Sequence, residues 1–168
     1  LGEVLKEVAP KGINALLEGT MRNADYPLDV INGFKSCGYD IEAKFIATNY
    51  YSSLIGIIER FENEIDQRGF GRAVPPEHHD LAYEGIPSTI EALANSGKLS
   101  NISIITREGH VIAQTLRGDD VVKAYINYRD NLTPEMYLDI TDRINQVNEM
   151  MTARGAHQAE IDNLIIIK

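Results

Sequence analysis

The chain has 168 residues, 43% of them hydrophobic and 24% charged, which is the balance of one globular domain or one domain with an appendage. A formal net charge of -9 argues against non-specific nucleic-acid binding, which needs a basic face. It leaves room for a locally basic pocket and a phosphorylated small molecule. The single cysteine, Cys37, excludes an internal disulfide and a cysteine-rich metal site. No stretch reaches the roughly 20 apolar residues of a membrane span and no secretory leader is visible, so no membrane and a reducing, cytoplasmic setting are expected. The chain opens at Leu1 rather than methionine, and the expectation is a processed protein or a piece of a longer one.

In chain order, Leu1, Val4, Leu5 and Val8 stand at helical spacing and predict a helix broken by "APKG". "INALLEG", residues 13–19, is short and continuously apolar, the pattern of a strand buried on both faces. "PLDVINGFKSCG" aligns Leu28, Ile31 and Phe34 on one helical face before Gly38. "YDIEAKFIATN" predicts a second strand, and "YYSSLIGIIERFENEIDQRG" a long amphipathic helix closing on Gly69. A glycine-bounded loop, "GFGRAVPPEHHD", leads into another helix. "NISIITREGHVIAQTL" predicts a hairpin turning at Glu108-Gly109. This alternation is that of an α/β protein with a mostly parallel sheet. From Gly118 to Lys168 the pattern becomes helical, with Thr133-Pro134 as a helix start, so the expected division is 1–117 as the α/β part and 118–168 as two or three further helices.

Ligands in open α/β sheets bind outside the carboxyl ends of strands, which makes Glu18 a pocket candidate, with Thr20 and Arg22 adding a hydroxyl and a positive charge. The competing reading is that Glu18 only caps a turn while Arg22 pairs with Asp25. Arg60, on the long helix, is either a solvated helix arginine or half of an anion clamp. Arg72 lies on the loop, between glycines that permit motion and prolines that stiffen the exit. An arginine there, following an arginine-bearing helix, is the pattern of a lid that closes guanidinium forks on phosphate oxygens. Arg68 competes for the same role by spacing alone. His78 and His79 are neighbours on a predicted helix and point to different sides, so no metal is expected there. Cys37 has no base beside it. The phosphate-binding signature G-x-x-x-x-G-K-[ST] is absent.

Taken together, "NALLEGTMRNADYPLDVINGFKSCGYDIEAKFIATNYYSSLIGIIERFE" and "GRAVPPEHHDLAYEGIPSTIEALANSGKLSNISIITREGHVI" resemble the C-terminal part of a zeta-toxin domain. The shared features, over roughly residues 12 to 117, are E-G-T-x-R, a "GY" before the next strand, a helix ending in R-Y/F-E, and R-x-x-P/T-x-E-x-H-D. The resemblance implies an adenylate-kinase-like P-loop kinase fold, here incomplete at its N-terminus, with residues 118–168 as a helical extension. It also implies transfer of the ATP γ-phosphate, with Mg²⁺, to a hydroxyl of the nucleotide sugar UDP-N-acetylglucosamine, and a protein antitoxin as partner. Glu18, Thr20 and Arg22 then correspond to substrate-binding positions, and Arg60 and Arg72 to catalytic arginines. The family's phosphate-loop lysine and serine or threonine, and its proposed aspartate base, lie upstream of E-G-T and have no counterpart here. Val30 stands where some members carry a substrate-contacting threonine. The 168 residues are therefore expected to be inactive alone. The alternatives are a related P-loop small-molecule kinase with another acceptor, and a non-catalytic binding or interaction module.

Overall fold

A computed structural model describes residues 6–165. The chain forms two compact units: residues up to Ala47 together with Asp80–Tyr128, and Thr48–His79 together with the residues from Arg129 onward. The boundary expected after residue 117 does not coincide with a boundary between units, because residues 118–128 belong with the sheet.

The first unit holds helix α1 (Asp25–Ser36) and a three-stranded sheet of β1 (Glu42–Ile46), β2 (Asn101–Ile105) and β3 (Val111–Gln114) in that order. It also holds all but the first turn of α3 (Pro76–Asn95) and nearly all of α4 (Gly118–Arg129). β1 and β2 run parallel, with Glu42 opposite Asn101 and Ile46 opposite Ile105. β2 and β3 are antiparallel, with Ser103 opposite Gln114, and the hairpin turns at "REGH" as expected. Gly109 adopts φ +87°, the left-handed conformation that glycine reaches without a Cβ clash, while the Thr106 amide donates to the His110 carbonyl at 2.9 Å.

Alternation along the strands sorts the two sheet faces. Phe45, Ile102 and Ile104 turn inward and join Ile31, Ile90, Leu93, Val121 and Tyr125 in one apolar core. Glu42, Lys44, Asn101, Ser103 and Gln114 line a concavity of about 360 Å³ on the other face.

Residues 13–20 form no strand, which corrects the expectation for "INALLEG". Every residue from Ile13 to Thr20 is exposed, and Leu16 is 86% exposed. A doubly apolar run becomes a strand only when neighbours on both edges take its backbone hydrogen bonds and both faces are covered. Among the described residues no strand pairs with this segment. Its two ends are nevertheless held. The Tyr39 hydroxyl donates to the Ile13 carbonyl at 2.8 Å. Met21, at φ +53°, packs against the core. Arg22 lies so close to α3 that a Cβ on Gly85 would stand 2.0 Å from its carbonyl oxygen.

The second unit is helical. Its long helix α2 (Tyr50–Arg68) begins at Asn49, whose side chain accepts from the Tyr51 amide at 3.0 Å, and ends at Gly69 in the left-handed conformation. Helix α5 (Pro134–Ala153) starts as expected, with the Thr133 hydroxyl accepting from the Met136 amide at 3.2 Å. Helix α6 (Gln158–Ile165) follows. Ile55 of α2 packs with Ile140, Ile144, Val147 and Met151 of α5, joined by Ile58, Ala156 and Ile161. The expected helix over residues 1–9 lies partly outside the described residues; residues 6–8 are helical and run into a 3-10 turn, Ala9–Lys11.

Candidate functional site

The second unit brings two of the sequence candidates onto one element. Arg60 and Glu64 are four residues apart on α2 and so neighbour each other on one face. The Glu64 carboxylate accepts the backbone amide of Arg72 at 2.8 Å. One residue earlier, Gly71 lies against the helix, where a Cβ would stand 2.5 Å from the Phe61 carbonyl oxygen and 2.7 Å from its ring. Only glycine permits that approach. The loop is therefore seated on α2, with the Arg72 backbone held at Glu64, on the face that carries Arg60. Both arginine side chains belong to exposed residues.

The opposite side of α2 is tied down by charge. The Arg143 guanidinium donates to both oxygens of Glu59 at 2.7 Å each and to the Ser52 carbonyl at 3.4 Å. The Arg154 guanidinium donates to Glu62 at 2.6 and 2.9 Å and to Glu160 at 2.7 Å. These bonds raise the pKa of Arg143 and Arg154 above the ordinary arginine value and lower that of Glu160. Planar forks matched to carboxylates are the strong form of this contact. The two acids flank Arg60 in sequence but face α5 and its C-cap through their bonds, so the helix keeps one face for packing and another for solvent.

His79 is buried, with its Nε2 3.0 Å from the Ser53 hydroxyl and its ring edge-on to Tyr50. His78 is exposed, so the adjacent histidines separate as a helix requires. Among the described residues, no group of three His, Cys, Asp or Glu could hold a metal ion.

In the first unit, Glu18, Thr20 and Arg22 are all exposed. Glu18 and Thr20 lie on the exposed segment 13–20 rather than at the end of a ladder-bonded strand. Arg22 is set against α3 through its backbone at Gly85. Sequence reasoning missed Glu59, Glu62, Glu64, Gly71, Arg143 and Arg154. The arginines stand eleven residues apart, three helical turns, a spacing that could have flagged a shared face.

Arginines suited to phosphate oxygens are present, but no residues here form a phosphate loop, and the described residues offer no magnesium cluster. The chain therefore does not by itself fit a whole ATP–magnesium site.

The architecture is of the mixed α/β, P-loop-kinase-like class. A chain from the structural study of the PezAT chromosomal toxin–antitoxin system of the human pathogen Streptococcus pneumoniae superposes with a TM-score of 0.71, covering 88% of this chain and 59% of that one at 19% identity. Residues 1–116 match the zeta toxin family, and the chain belongs to that family. Toxin zeta of Enterococcus hirae is 32% identical over 107 residues, 63% of this chain and 37% of its own length. Toxin PezT of S. pneumoniae serotype 4 is 32% identical over 95 residues, 56% of this chain and 35% of its own length. The chain thus spans little more than a third of the length of these curated relatives. No described helix is long and apolar enough to cross a membrane.

Proposed function

We propose that this chain carries the acceptor segment and arginine loop of a zeta-toxin kinase, the toxin of a toxin–antitoxin pair. The whole protein transfers the ATP γ-phosphate to a hydroxyl of UDP-N-acetylglucosamine. The observation that carries the reading is the hydrogen bond from the Arg72 amide to Glu64, which ties the backbone of the arginine loop to the face of α2 that carries Arg60. Paired guanidinium groups act on phosphoryl transfer by holding phosphate oxygens and neutralising the charge that grows on them. Arg60 and Arg72 take that role, and Glu18, Thr20 and Arg22 hold the acceptor. ATP and Mg²⁺ would be held by a phosphate loop that the 168 residues lack, so no step is routed through them and the chain alone is inactive. The family membership and the names of the relatives support an antitoxin partner.

The test joins this sequence to a zeta-family phosphate-loop segment and supplies ATP, Mg²⁺ and a panel of nucleotide sugars. Consumption of UDP-N-acetylglucosamine supports the reading. Turnover of a different hydroxyl acceptor replaces the substrate but keeps the kinase. ATP-dependent phosphorylation by the unextended 168-residue chain would overturn the assignment of the missing loop.

A further inference from the structure

At Gly71 and Arg72 the exposed loop is held onto α2 by neighbouring contacts. One is the 2.8 Å hydrogen bond from the Arg72 amide to the Glu64 carboxylate. The other is the close seat of Gly71 on Phe61. Glu64 is the acid four residues from Arg60, the position from which a carboxylate ordinarily pairs with an arginine on the same helix face. Here that carboxylate is turned to the loop backbone.

We propose that Glu64 is a positioning residue, which fixes Arg72 through its backbone amide so that Arg60 and Arg72 act as one phosphate-binding pair on α2. This rests on the phosphate-handling reading of the two arginines given above. Loop and helix then move as a unit, and the loop needs no separate closing motion relative to Arg60. A carboxylate beside two arginines would, as a bare charge, weaken anion binding. Its contribution through the amide has the opposite sign, and that difference makes the proposal testable.

The probe is inorganic pyrophosphate, titrated calorimetrically into the full 168-residue chain, with thermal melts confirming that each variant is folded. Glu64→Gln keeps a carbonyl oxygen to accept the Arg72 amide and should bind pyrophosphate at least as well as the parent. Glu64→Ala removes the acceptor and should bind roughly 5- to 10-fold more weakly, despite losing a negative charge. Gly71→Ala, which unseats the same loop without touching any charge, should weaken binding similarly. Tighter binding by both Glu64 variants would show a purely electrostatic role and overturn the proposal. Arg60→Ala and Arg72→Ala separate the two levels. If either abolishes binding while Glu64→Ala binds like the parent, only the positioning role fails. If neither matters, or the parent does not bind pyrophosphate, the phosphate reading fails and the inference with it.

Discussion

Arg154, at the C-cap of α5, grips the carboxylate of Glu62 with two hydrogen bonds of 2.6 and 2.9 Å, and Glu62 is only 2% exposed. A carboxylate buried on a helix needs its countercharge, and α5 delivers it across 92 residues of sequence. The helical residues from 129 onward are thereby an integral part of the unit that contains α2.

Arg154→Met should destabilise the protein by about 3–5 kcal/mol, because it leaves Glu62 charged and buried without a partner. The double variant Arg154→Met/Glu62→Gln should recover much of that loss. Chemical denaturation of the two variants and the parent measures both; equal stability of the single variant and the parent would remove the pair from the account.

Acid should loosen the same region. Glu160 is held below the usual carboxylate range chiefly by its hydrogen bond to Arg154, and Glu135 by its own backbone amide and the Thr133 hydroxyl. A carboxyl with a depressed folded-state pKa contributes stability that is present above the unfolded value, about 4.3, and is lost as pH falls through the folded value. Melting temperature should therefore decline as pH drops below about 5, and Glu160→Gln should flatten that slope.

Gly85→Ala should destabilise, although alanine is the better helix former by up to about 1 kcal/mol. The added methyl would meet the Arg22 carbonyl oxygen at 2.0 Å and push the Arg22 backbone off α3. Increased amide exchange at Met21 and Arg22 in the variant is the expected signature, and unchanged exchange would mean that α3 absorbs the methyl.

In a protein completed with a phosphate loop, Arg72→Ala should raise the barrier by about 2.7–4 kcal/mol if the arginine is a preorganised charge stabiliser. Arg60→Ala should fall by a similar factor, and the double variant should lose less than the sum, since the two act on the same phosphate. Single-turnover rates measure this directly.

Most of the elements were legible in the sequence, and for local reasons. Gly69 marks the end of α2, Thr133-Pro134 starts α5, and Gly109 turns the hairpin, because capping and left-handed turns depend on the residues at those positions. The strand expected at residues 13–19 was not realised, because apolar pattern reports a preference for burial and a strand also needs a ladder partner. The arginine candidates were legible as residue types, but their relationship was not. The composition of "GFGRAVPP" fits a free loop equally well, and nothing in it names Glu64 as the acceptor of the Arg72 amide.

By itself, then, the sequence determined the caps and turns, which rest on residues near one another in the chain, and the α/β class and the family, which rest on the order of short patterns along it. Only the tertiary structure decided that Arg143 and Arg154 anchor Glu59 and Glu62, that Gly71 seats the loop on Phe61, and that Glu64 ties Arg72 to the helix of Arg60. Those pairings are set by which faces meet when apolar stripes pack. A carboxylate's choice of donor follows from that geometry.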